Sequence, residues 1–185
     1  MTTAKTGLLT ADDLLRLYSQ GVRGELIRGV LHETMPAGER HGHIAGALLS
    51  EVRVYARPRR MGRVGGTDAG IMLERNPDTV REPDVYYISA EKLPLDVEVD
   101  GYCEVVPDMV AEVYSPSNRA AEFNEKIQMW LDFGVRLVLA LYPQARTITA
   151  HRPGLPAITL AYDDTLEGGD AIPGFSCPVR DIFDL

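Results

Sequence analysis

The sequence is poor in several features that would each define a class of protein. It has two cysteines in 185 residues, Cys103 and Cys177, far apart and at no metal-ligand spacing. That excludes a disulfide framework and leaves two reduced, structural thiols as the expectation. No stretch approaches the roughly 20 apolar residues that span a bilayer, so no membrane partner is expected. The opening MTTAKTGLLTADD has one lysine and no apolar run, which reads as no secretory signal and implies a cytoplasmic protein. There is no G-x-x-x-x-G-K-[ST] loop, which argues against a P-loop phosphate cradle. Internal repeats and low-complexity tracts are absent. Positive charge is in deficit, with 19 Lys and Arg against 27 Asp and Glu and a net charge of −8, an awkward balance for binding phosphate.

What is present is ordinary globular material: 45% hydrophobic and 25% charged residues in a chain whose length suits one domain, expected to cover 1–185. Charge is unevenly spread. EVRVYARPRRMGR gathers Arg53, Arg57, Arg59, Arg60 and Arg63, either as a solvated helix end complementing the dipole or as a phosphate-facing patch. Charge alone leaves both open.

Thr10 is a good N-cap for a short helix through ADDLLRLYS, stopping at Gly21. The strands GELIRG and VLHETM follow, with Gly29 at their turn. A longer helix runs from about Glu39 to Arg57, with Ile44, Leu48, Val52 and Tyr55 on its inner stripe. RVGGTDAGIMLE reads as one strand with Gly65-Gly66 as a bulge, DVYYIS as a second and MVAEVY as a third. A helix from about Arg119 to Phe133 leads to the strand VRLVLALY, which pairs with RTITAHR across Pro143-Gln144-Ala145. The tail alternates turns and short strands. Helix, three strands, helix, strand implies an α/β fold, a mixed central sheet flanked by helices, with an N-terminal helix and hairpin.

Three charges break their local patterns. In MVAEVY both faces are apolar except for Glu112, and a carboxylate in a buried strand must be paired, bind a cation or be protonated. Asp84 opens DVYYIS directly after Pro83, at the sheet's end. Lys126 stands three residues after Phe123 and four before Trp130, at the edge of an apolar helical stripe. It could snorkel, pair with Glu122 at i,i+4, or reach over the sheet towards Glu112. Two carboxylates and a lysine on adjacent elements suit Mg²⁺, a hard ion that prefers oxygen donors, activates water and neutralises phosphate charge.

PDV at 83–85, AEVYSPSNR at 111–119 and the Lys126 helix resemble the Uma family of restriction-endonuclease-like proteins, long catalogued as a domain of unknown function, within the PD-(D/E)XK nuclease superfamily. GELIRGVLHETMPAGERHGHI, GVRLVLALYP and DTLEGGDAIPGFS extend the similarity over most of the chain. The resemblance implies a restriction-endonuclease-like core hydrolysing DNA with Mg²⁺, Mn²⁺ substituting. Asp84 and Glu112 would be the acidic pair, with the Val113 carbonyl as a further metal ligand. The usual lysine two residues after the second acid is replaced here by Tyr114, so Lys126 would supply the ammonium. Glu25 matches an acidic position of the family, as an added ligand or holder of a metal-bound water, unless it is an exposed hairpin charge. His41 matches the family's histidine or is a first-turn residue satisfied by backbone. Trp130 stands where tyrosine is usual, a change expected to matter little, and Tyr142 replaces an aspartate.

Two alternatives compete. A zinc site on His32, His41 and His43 is disfavoured because two-apart histidines diverge on a helix. A nuclease fold could instead serve as a non-catalytic nucleic-acid-binding or assembly module, with Glu112 and Lys126 as a structural ion pair. If the protein cuts both DNA strands, a homodimer is expected.

Overall fold

The structure is a computed structural model that describes residues 7–66, 68–115 and 119–184. In chain order the elements are α1 (Ala11–Ser19), β1 (Gly24–Ile27), β2 (Val30–Glu33), α2 (Glu39–Ala56), β3 (Gly62–Gly66), β4 (Ile71–Glu74), β5 (Thr79–Arg81), β6 (Val85–Ser89), β7 (Met109–Val113), α3 (Ala120–Asp132), β8 (Leu137–Tyr142), β9 (Thr147–His151), β10 (Ile158–Leu160), β11 (Thr165–Glu167), β12 (Ser176–Pro178) and α4 (Arg180–Phe183). The expected N-terminal capping holds: Thr10 and Asp13 form a reciprocal capping box at α1. Arg28 and Gly29 both take positive φ at the β1–β2 turn, the conformation a tight hairpin demands.

The main sheet runs β10-β9-β8-β7-β6-β3, and β2-β1-β5-β4 forms a smaller one. β7 and β8 are parallel, as the crossover through α3 requires, and the other pairs of the main sheet are antiparallel. The expected order of helix, three strands, helix, strand is thus α2, β3, β6, β7, α3, β8, and the mixed α/β sheet is present. Strand alternation divides its two faces. Val85, Met109, Ala111, Leu137 and Leu139 pack with α2 and α4, while Val110, Val138 and Ala140 pack with Phe123, Ile127 and Trp130 of α3. Glu112 pairs with Ala140 across β7–β8 and so falls on the α3 face.

Two expectations are corrected. RVGGTDAGIMLE is not one strand: β3 ends at Gly66 in the main sheet, and β4 belongs to the smaller one. Asp68 takes a left-handed conformation between them and turns the chain out of the first sheet. Nor are Gly65 and Gly66 a bulge, since β3 pairs with β6 in unbroken register from Gly62 opposite Ser89 to Gly66 opposite Val85. They are close-approach positions: an added Cβ would meet the Tyr86 ring at 2.5 Å from Gly65 and the Asp84 carbonyl at 2.2 Å from Gly66. β5, which the sequence reading missed, is a three-residue strand, too short for alternation to register.

Asp108 ties the start of β7 to its neighbours. It is fully buried, accepts from the Ser89 N–H at 2.8 Å and from Arg136 at 2.7 Å, and lies 3.0 Å from the Lys92 ammonium. Burial pushes its carboxyl up, but the bonds from Ser89, Lys92 and Arg136 prevail and hold it below the usual aspartate range. Asp108→Asn is expected to lose about 2 kcal/mol at neutral pH, the scale of bonds to a charged group, measured by urea unfolding. Because the folded pKa is depressed, this contribution is present above the unfolded aspartate pKa and disappears as pH falls through the folded value. The gap between variant and parent should therefore close in acid.

Candidate active site

Lys126 is the centre of the cluster. α3 buries Phe123, Ile127 and Trp130 against the main sheet, which carries Lys126 inward with them. Its Nζ lies 2.9 Å from Glu112 Oε2 and 3.2 Å from Glu25 Oε1, and it donates to the Glu82 carbonyl at 3.3 Å. Those acceptors match the three donors of an ammonium. The surface alternatives fail: Lys126 points inward rather than snorkelling, and Glu122 pairs with Arg119 at 3.7 Å.

Glu112 is gripped on both oxygens, because the Trp130 indole N–H donates to Oε1 at 2.8 Å. Trp130, which stands where tyrosine is usual, is the neutral half of this carboxylate's support. Glu25 is not an exposed hairpin charge. β1 turns Leu26 towards α1 and, by alternation, Glu25 towards α3. Its Oε1 accepts from the Glu82 N–H at 2.8 Å, and its Oε2 lies 3.4 Å from Arg81. Arg81 and Glu82 were invisible in the sequence because β5 was.

Electrostatics differ across the cluster. Burial pushes Glu112 up, Lys126 pulls it down, and Asp84 with Glu25 pushes it up again, for a net rise. Burial also raises Glu25, but Lys126 and Arg81 outweigh that and hold it low. Burial lowers Lys126, and Glu112 with Glu25 reverses the effect, so the ammonium keeps its proton. Burial, helped by Glu25 and Asp68, lifts Glu82 to about 7.

Asp84 forms the other half. Val85 faces Ala111 across β6–β7, so one further step of that register sets Asp84 opposite Glu112. Its Oδ2 accepts from the Val113 N–H at 2.7 Å and meets His41 Nε2 at 3.1 Å. The Asp84 bond raises the His41 pKa, against desolvation, and the Val113 carbonyl adds to the rise. His43 leaves the cluster, its Nε2 lying 2.9 Å from the Asp184 carbonyl. Among the described residues no lysine or arginine pairs with Asp84.

The donor chemistry fits a hard divalent cation. Asp84 and Glu112 present carboxylate oxygens, the Val113 carbonyl adds a main-chain oxygen, and buried Glu112 sits near two further carboxylates. Among the described residues no three His, Cys, Asp or Glu side chains form a metal cage, so a cation here would rely on two carboxylates, the carbonyl and water. The arginine run lies elsewhere. Arg57 follows His41 by 16 positions along α2, about 24 Å of helix; Arg59 stacks over Tyr55 at 4.1 Å and Arg63 bonds the Pro94 carbonyl at 2.7 Å. Pro116, Ser117 and Asn118 of AEVYSPSNR lie outside the described residues. Tyr114 packs edge-on against Phe123, with ring centroids 5.2 Å apart.

A family profile described as "Uma2: putative restriction endonuclease" matches residues 11–180. A crystal structure of "a putative nuclease belonging to DUF820" from Anabaena variabilis ATCC 29413 superposes with a TM-score of 0.79 at 20% identity, covering 95% of this chain and 97% of that one. That likeness establishes the fold. No protein of curated function matches.

Lys126→Met is expected to cost about 3–5 kcal/mol in metal-free buffer at pH 8, because it strands the buried Glu112 charge. The stranded carboxyl has a folded pKa above its unfolded one, so stability should recover as pH falls and Glu112 takes up a proton. Chemical denaturation at pH 8 and pH 5.5 checks both statements.

Proposed function

The chain belongs to the Uma2 family, and from that premise we propose that it is a metal-dependent endonuclease hydrolysing DNA phosphodiester bonds. The observation that carries this reading is the juxtaposition of Asp84, a carboxylate without a lysine or arginine partner among the described residues, with buried Glu112 and the Lys126 ammonium. Asp84, Glu112 and the Val113 carbonyl would hold Mg²⁺, with Mn²⁺ as its substitute. When bound, the ion supplies an activated water and neutralises charge on the phosphate.

The chain's own groups take distinct roles. Lys126, paired with Glu112 and Glu25, would serve as the electrostatic partner of the developing phosphate charge or as the general base. Glu25, itself anchored by Arg81 and the Glu82 N–H, is the second carboxylate on the ammonium. Trp130 holds Glu112 in its rotamer.

One observation favours the rival reading of a non-catalytic nucleic-acid-binding or assembly module: Lys126 and Glu112 satisfy each other at 2.9 Å. That pair does not explain Asp84, however. Asp84 has the His41 imidazole at 3.1 Å but no lysine or arginine among the described residues, which leaves its charge available to a divalent cation. Cutting both strands of a duplex needs two such centres, so we propose a homodimer as the working form.

Cleavage of supercoiled plasmid, single-stranded DNA and RNA with Mg²⁺ or Mn²⁺ tests the proposal. The parent should nick and linearise plasmid, Asp84→Ala should abolish this, and Lys126→Ala should slow it by about 10²–10³-fold, the scale of losing one preorganised electrostatic group. Undiminished cleavage by Lys126→Ala would remove the lysine from the mechanism. No cleavage, together with no saturable metal binding at millimolar concentration, would leave the module reading standing.

A further inference from the structure

His41 stands on one of the groups that the proposed cation site would use. Its Nε2 is 3.1 Å from Asp84 Oδ2, the same oxygen that accepts from the Val113 N–H. That carboxylate is assigned above to the metal, and an imidazole nitrogen at this distance takes one of the positions around it.

The ring is held less firmly than Lys126. The ammonium is tied by Glu112, Glu25 and the Glu82 carbonyl, whereas His41 is carried by the first turn of α2 at the open side of the cluster. A Cβ added to Gly38 or Gly42 would meet nothing within 4 Å, so the start of α2 borders free space. Rotation about the His41 side-chain torsions can take the ring out while the helix backbone stays in place.

We infer that His41 is a displaceable occupant of the cation site, held on Asp84 until a divalent ion takes its place, and so sets the affinity for metal. The inference rests on the reading of Asp84 and Glu112 as metal ligands. Its sign is specific. An occupant lowers apparent affinity by the fraction of molecules in which it blocks the site, so its removal tightens binding. A metal ligand, or a group that only orients Asp84, would weaken binding when removed.

Calorimetric titration of Mg²⁺ and Mn²⁺ into the metal-free full chain, at one fixed pH, separates these possibilities. His41→Ala should bind about tenfold more tightly than the parent, while Asp84→Ala should lose binding. In the unaltered protein, Mg²⁺ should shift the His41 imidazole NMR resonances over the same concentration range as the calorimetric transition. Equal or weaker binding by His41→Ala, or His41 resonances indifferent to saturating Mg²⁺, overturns the inference while leaving the site reading intact. Parent-like binding by Asp84→Ala, or no binding by the parent, overturns the site reading and the inference with it.

Discussion

A lysine ammonium taken out of water must be surrounded by acceptors, and much of this architecture follows from how Lys126 meets that demand. Its acceptors come from separate parts of the chain. Glu112 belongs to the main sheet, Glu25 to the smaller one, and the Glu82 carbonyl to the link between them. One charged nitrogen thus joins two sheets and the crossover helix. Each supporting carboxylate has a second holder, the Trp130 indole for Glu112 and the Arg81 guanidinium for Glu25. In a low dielectric these bonds reinforce one another, and losing one leaves a group whose desolvation is no longer offset.

The cluster is asymmetric. On the Lys126 side charges are matched and side chains are locked by packing. On the Asp84 side the carboxylate has main-chain and imidazole partners, but no lysine or arginine among the described residues. A preorganised floor and an incompletely neutralised rim suit a site in which part of the charge balance arrives from outside.

Much of this was legible in the sequence. Glu112 and Lys126 stood out because each violated an apolar pattern strong enough to fix its element, a five-residue buried strand and a helical stripe. α2 and its inner residues were equally plain. What escaped lies in short or irregular segments. β5 was too brief to show alternation, so Arg81 and Glu82 went unseen, and with them the reason Glu25 is buried. The break after Gly66 was hidden because the residues beyond it read as more strand, and only the left-handed backbone at Asp68 sends them to another sheet. The role of Trp130 was hidden because its indole N–H acts on a partner 18 positions away in the chain. Periodicity reports which way a side chain faces. It does not report what that side chain meets.

Gly66 carries no chemistry, yet its bare Cα faces the Asp84 main chain so closely that a methyl group would fall 2.2 Å from the carbonyl oxygen. The acid therefore owes its position to an unfilled volume on the neighbouring strand. Drift at that one position would displace the carboxylate while every charged residue of the cluster stayed in place. A relative could thus keep all its acids, its lysine and its fold and still be silent. Inspection of charged residues alone would count it as intact.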